Sequence, residues 1–127
     1  MRIIRLDHLV LTVKNVAITA KFYNEILGME IIKFAGGDRT ALLFGNQKIN
    51  LHECGREVEP KAKLPTAGSA DLCFISETPL KDIQEELKEK RISIEEGPIE
   101  RTGAVGKIIS VYFRDPDSNL IEISNYI

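Results

Sequence analysis

The sequence predicts an α+β chain of two tandem βαβββ modules, forming a curved, half-barrel mixed sheet around a cleft. Three observations predict it. Four short runs, LDHLVLTV, KINLHE, ADLCFIS and NLIEIS, alternate apolar and polar residues as half-buried strands do. Each run sets polar side chains on one face only: His8, then Asn50 with His52, then Asp71, then Glu122. The plan of the first half also recurs in the second. HLVLTV aligns with DLCFIS and INL (49–51) with IEI (121–123), which places His8 over Asp71 and Asn50 over Glu122.

The elements follow in order. A strand is expected over 6–13. Asn15 is placed to cap a helix over about 16–27, in which Val16, Ala20, Tyr23 and Leu27 fall at helical spacing and Gly28 marks the stop. Strands are then expected over 29–34, 40–44 and 48–53, with Gly36-Gly37-Asp38 and Gly45-Asn46 as turns. Residues 54–68 are polar, contain Pro60 and Pro65, and read as a linker between a first module of about 1–53 and a second of about 69–127. In the second module a strand is expected over 70–76. Thr78 is the expected cap of a helix that opens on Pro79 and carries Leu80, Ile83 and Leu87 as its apolar stripe. A short strand over 92–96 is expected to end at Gly97-Pro98, leaving a long connection that contains Arg101, Thr102 and Gly103. Strands over 107–114 and 120–125, joined by the DPDSN turn, complete the chain.

Bulk composition narrows the function. A chain of 127 residues is one domain in size, and its hydrophobic fraction of 43% can furnish a core. A net charge of −2 argues against nucleic acid as a partner. No apolar run is long enough to span a membrane. The start, MRIIRLDHLV, passes directly into a strand pattern without a signal core, so a cytoplasmic location is expected. Cys54 and Cys73 would be reduced there, and no C-x-x-C pattern suggests structural zinc. Cys73, mid-strand, is expected to be a small buried apolar residue.

The polar residues of the four strands carry the chemistry. Burying an imidazole or a carboxylate costs a few kcal/mol unless something pairs with it. A divalent metal is the common partner that suits both groups.

LDHLVLTVKN, KFYNEILGME, KINLHE and FRDPDSNLIEISNY together resemble the vicinal oxygen chelate superfamily, the group of glyoxalases, bleomycin-resistance proteins and extradiol dioxygenases. The likeness covers essentially the whole chain, and NLHE and EEGPIERTGAVG are similar to stretches of small glyoxalase domain-containing proteins. It implies a divalent ion (Fe, Mn, Ni, Co or Zn) that a substrate chelates through adjacent oxygens. It implies His8 and Glu122 as ligands. The family's fourth-strand glutamate falls on Asn50, and its second-module histidine falls on Asp71. His52, two residues beyond Asn50 on the same face, is the expected replacement ligand.

The expected site is therefore His8, His52 and Glu122 on the metal, with Glu122 and His52 also as proton-moving groups. Asn50 and Arg101 are expected to bind substrate, Arg101 by forked contact with a carboxylate or phosphate. Glyoxalase-like lyase or isomerase chemistry on a small molecule is the first reading. Extradiol-type ring cleavage, which needs two His and one carboxylate on Fe(II), is an alternative. A metal-free drug-binding protein is another, although a chain with no Trp offers little stacking surface. A homodimer is expected, since open strand edges and an apolar face call for cover.

Overall fold

The computed structural model of the chain describes residues 1–127. It separates into two compact units, Met1–Gly68 and Ser69–Ile127, each a βαβββ module. The α+β architecture read from the alternating runs is the one observed.

In the first unit β1 (His8–Val13) leads to α1 (Val16–Leu27). The strands β2 (Glu30–Phe34), β3 (Arg39–Phe44) and β4 (Gln47–Glu53) follow, with a short 3-10 turn at Ala35–Gly37. The sheet order is β1-β4-β3-β2, with β1 parallel to β4 and the other pairs antiparallel. Leu11, Val13, Leu42, Ile49 and Leu51 are buried together with Ala20 and Tyr23 of the helix. Asn15 caps α1 as expected, its side chain accepting from the Ile18 N–H at 2.9 Å. Gly28 ends the helix at φ 68°, a left-handed conformation that glycine adopts without penalty. The segment 54–68 belongs to this unit, and Cys54 N–H donates to the Val13 carbonyl at 2.8 Å.

In the second unit β5 (Asp71–Ile75) leads to α2 (Leu80–Glu89) and then to β6 (Glu96–Thr102), β7 (Lys107–Arg114) and β8 (Leu120–Tyr126). The sheet order is β5-β8-β7-β6, again with one parallel pair, β5 with β8. Leu80, Ile83 and Leu87 are buried from the helix, with Ile108, Val111, Phe113, Ile121 and Ile123 from the sheet.

Three local expectations are corrected here. The cap of α2 is Pro79, not Thr78, and no side chain of its own segment caps it. Asn125 does so from β8, accepting from the Leu80 N–H at 2.7 Å and donating to the Ser76 and Thr78 carbonyls at 2.9 Å each. Gly97-Pro98 does not end a strand. Glu96 pairs with Tyr112 and Ile99 with Ser110, so one extra residue is absorbed as a bulge and β6 runs on to Thr102. Gly97, at φ 108°, lies so close to the Ser110 and Val111 backbone that a Cβ could not fit. Arg101 therefore sits on a strand and not in a loop. Finally, Cys73 is exposed, because β5 alternates and presents Asp71, Cys73 and Ile75 on its more exposed face.

Candidate functional site

The register fixes which side chains share a face. In the first unit His8 lies opposite Lys48, Val10 opposite Asn50 and Thr12 opposite His52, so all six share one face. Asn50 and His52 are each only 5% exposed. The Asn50 Oδ1 atom is buried with no hydrogen-bond partner. His52 Nε2 lies 3.2 Å from Arg39 Nη2, and its pKa falls below the ordinary 6.5 through burial and then through the Arg39 charge. Arg39 is itself stacked over Phe34, 4.8 Å from the ring centroid. Val10, Thr12 and His52 line a cavity of about 230 Å³ whose other wall is Pro60, Lys61, Ala62 and Pro65 of the 54–68 segment. His8 is different. Its side chain is 44% exposed, and its Nδ1 lies 2.8 Å from Asp7 Oδ1.

In the second unit the turn at 115–119 sets the site. Asp115 Oδ1 accepts from the Asp117 and Asn119 N–H groups at 2.9 Å each, and Asp115 Oδ2 accepts from Asn119 Nδ2 at 2.8 Å. Asn119 Oδ1 in turn accepts from the Ala70 N–H at 2.8 Å, tying the entry of β5 to the start of β8. The register that results puts Cys73, Glu122, Tyr112 and Glu96 in one row across the four strands. Glu122 lines a cavity of about 380 Å³ together with Cys73, Ile75, Arg101, Ile108, Tyr112 and Tyr126. Its Oε1 atom is buried without a partner.

The neighbours of Glu122 are donors. Tyr112 and Cys73 flank it as ladder partners on either side. Both titrate above their ordinary values, first through desolvation, with the neighbouring Glu122 carboxylate acting in the same direction. Although Cys73 is exposed as a residue, its sulfur is partly screened and lies 3.4 Å from Ser124 Oγ. Arg101 Nε donates to the Tyr112 hydroxyl at 3.1 Å, and its Nη2 lies 3.3 Å from Glu96 Oε1.

Residues 5–123 match the Glyoxalase/Bleomycin resistance protein/Dioxygenase superfamily. The chain belongs to that superfamily. It is 58% identical over 127 residues to Virulence protein STM3117 of Salmonella typhimurium, covering all of this chain and 88% of the relative. The crystal structure of STM3117 superposes with a TM-score of 0.98 at 57% identity, over the full length of both chains. The chain is also 54% identical over 121 residues to the glyoxalase domain-containing protein RDO1 of Mycosarcoma maydis, covering 95% of this chain and 68% of that one. A mutant of the fosfomycin resistance protein FosX from Listeria monocytogenes shares the fold, with a TM-score of 0.64 at 24% identity over 96% and 90% of the two chains. That structure was solved with Mn(II) and 1S,2S-dihydroxypropylphosphonic acid.

Superfamily likeness directs attention to metal donors, and the two units hold them unevenly. No group of three His, Cys, Asp or Glu side chains is placed to hold an ion. His8 and His52 stand four residues apart along paired strands, roughly 13 Å by strand rise. Within the second unit Asp71, exposed, lies on the same face as Glu122, one row away.

Three neighbours were not read as site residues from sequence: Tyr112 and Cys73 beside Glu122, and Arg39 beside His52. A signal existed for the first. The 107–126 hairpin is symmetric about Asp117, so alternation alone would pair Tyr112 with Glu122.

Proposed function

We propose that the chain is a glyoxalase-like enzyme of lyase or isomerase type, acting on a small substrate with vicinal oxygens, with Glu122 as the carboxylate that moves the proton. One observation carries this reading: Glu122 lines a cavity of about 380 Å³, and its Oε1 atom is buried without a hydrogen-bond partner. A buried carboxylate oxygen left without a donor is expensive in a merely structural role and useful in a base. The cavity lining mixes polar groups with Ile75 and Ile108, which suits a small molecule bearing oxygens on a short apolar body.

The superfamily resemblance implies a divalent metal, and two of the expected donors fit one. Glu122 offers the unpartnered oxygen. His8 sets its Nδ1 against Asp7, the kind of carboxylate contact that orients a ligating imidazole and leaves Nε2 for the ion. His52 fits less well, because a cation already faces its Nε2. Each unit thus offers a donor of its own, His8 in the first and Glu122 in the second, with Asp71 as a further carboxylate on the Glu122 face. When bound, such an ion supplies Lewis-acid polarisation of neighbouring substrate oxygens. Two imidazoles and a carboxylate, the set for ring-cleaving dioxygenation, are less well supported for the same reason. The homodimer belongs to this reading, since β1 and β5 each end their sheet order and carry exposed Val10 and Ile75. A stable species of 14.2 kDa in light scattering would refute it.

The test is Mn(II) titration by calorimetry, followed by a turnover screen of small hydroxyketones, hemithioacetals and vicinal diols. Glu122→Gln is expected to weaken Mn(II) at least tenfold, about 1.4 kcal/mol, and to abolish any turnover found. His8→Ala is expected to weaken Mn(II) as much or more. Wild-type protein that binds no Mn(II), Fe(II), Ni(II), Co(II) or Zn(II), and turns over nothing, would sink the enzyme reading in favour of a metal-free binding protein.

A further inference from the structure

We infer that the first unit carries a binding site of its own for a small monocarboxylate: the cavity of about 230 Å³ walled by the 60–65 stretch, with His52, Lys61 and Thr12 as its hydrogen-bond donors. The inference is independent of the role proposed for Glu122, which belongs to the other unit.

His52 is a buried titratable group that the proposed chemistry leaves unused. It belongs to a row of side chains, Thr12, His52, Arg39 and Phe34, that crosses all four strands of the first sheet. Its Nε2 lies 3.2 Å from Arg39 Nη2. A guanidinium can only donate, so Nε2 accepts, and the hydrogen of the neutral ring is left on Nδ1. Burial and the Arg39 charge both favour that neutral ring. Arg39 is held in place by Phe34, whose ring centroid is 4.8 Å from its guanidinium carbon and 4.7 Å from Lys48 Nζ. The row thus turns His52 into a donor with a fixed hydrogen.

The cavity lining sets the ligand's chemistry. Val10, Pro60, Ala62 and Pro65 are apolar, and the polar side chains are Thr12, His52 and Lys61, with no carboxylate among them. An ammonium and an imidazole N–H only donate, and a hydroxyl can do either. A ligand that satisfies them presents oxygen acceptors on an apolar body. Local charge limits it to one negative charge. Arg39 and Lys61 are positive, but Lys61 Nζ lies 3.3 Å from Glu59 Oε1 and 4.0 Å from Glu57 Oε2. Glu59 is 74% exposed and screened by water, and Glu57 is turned to its own segment, where it accepts from the Gly55 N–H at 3.1 Å. A monocarboxylate fits that balance better than a phosphate dianion. The volume is that of roughly eight waters at ~30 Å³ each, which admits a short-chain acid of about six non-hydrogen atoms. Pro60 and Pro65 stiffen the wall, and the Cys54 N–H ties the start of the segment to the Val13 carbonyl at 2.8 Å. The site is therefore formed before a ligand enters.

The experiment titrates the isotope-labelled full chain with sodium butyrate, followed by proton–nitrogen NMR, with butyramide and butylammonium chloride as the neutral and cationic probes of the same length. Butyrate is expected to bind in the millimolar range, with its largest shifts at Val10, Thr12, His52 and residues 60–65. Butyramide should bind more weakly and butylammonium not at all. Long-range spectra of the His52 ring should show the hydrogen on Nδ1 before and after butyrate is added. Lys61→Met keeps the apolar stem at a part-exposed position and is expected to fold. It should weaken butyrate about tenfold, as the loss of a charge-assisted hydrogen bond does. His52→Ala, accepted only if its thermal melt is cooperative, should weaken it by a similar factor, and Thr12→Val by less. Butyrate shifts that do not saturate, or that fall outside this cavity, overturn the inference. Equal binding of butyrate and butylammonium, or Lys61→Met within twofold of wild type, overturns it as well. A His52 hydrogen found on Nε2 overturns the part assigned to the Arg39 contact.

Discussion

Asn50 in the first unit and Glu122 in the second occupy equivalent places, each on the last strand of its module and each opposite the third residue of the parallel first strand. Each has a buried side-chain oxygen without a partner. Their ladder neighbours differ in kind. Asn50 lies between Val10 and Ala41, neither of which can donate a hydrogen bond. Glu122 lies between Cys73 and Tyr112, both of which can. A carboxylate is tolerable in the second row and an amide is the most polar group the first row can hold. The departure from the superfamily pattern at position 50 thus follows from the residues on either side of it. The rest of the two faces follows suit: the first carries Arg39, Lys48 and His52, the second Glu96, Glu122 and Tyr112.

The most direct way to break that comparison is to write the second unit's residue into the first. Asn50→Glu would bury a carboxylate with no donor beside it, and is expected to destabilise the protein by roughly 3 kcal/mol, as breaking a buried charge pair does. Urea denaturation followed by circular dichroism measures it. A loss under about 1 kcal/mol would mean that water or Arg39 reaches the site, and the argument from neighbours would fail.

The helices sharpen the comparison next. α1 is capped by Asn15, at its own N-terminus, whereas α2 is capped from β8 by Asn125, which also ties down two carbonyls. Asn15→Ala should cost about 1 kcal/mol and Asn125→Ala about 2, because the second also frees Ser76 and Thr78. Equal losses in the same denaturation experiment would show that the two extra bonds contribute nothing.

What could be read from sequence divides along physical lines. Local signals held: the Asn15 cap, the Gly28 stop, the DPDSN turn and the period-two strands depend on a residue and its near neighbours. Misreadings came where a distant residue intervened. Thr78 looked like a cap because nothing nearby reveals that Asn125 supplies one from 45 residues away. Gly97-Pro98 looked like a strand end, yet the pairing with β7 continues past it through a bulge. At the site, the alternation put His8, Asn50 and His52 on one face, as the ladder confirms. Their surroundings were not legible. That His52 meets Arg39 and that His8 stands exposed against Asp7 depends on strand order and on side-chain reach, neither of which a single sequence displays.

The smallest expected effect concerns the imidazole that only the first unit possesses. His52 is buried beside Arg39, with Glu57 as a weaker opposing influence, and its folded pKa lies below 6.5. Between the folded and unfolded values the unfolded chain binds the extra proton, so stability rises with pH there. Its contribution is complete above about pH 6.5, and is lost progressively as pH falls from 6.5 through the folded value. Thermal melts across pH 7.5 to 5 should therefore show a falling midpoint in wild type, and a shallower fall in His52→Gln, which keeps a polar side chain without the titrating ring. Parallel curves for the two proteins would show that His52 titrates normally, and that the Arg39 contact does not set the charge on this face.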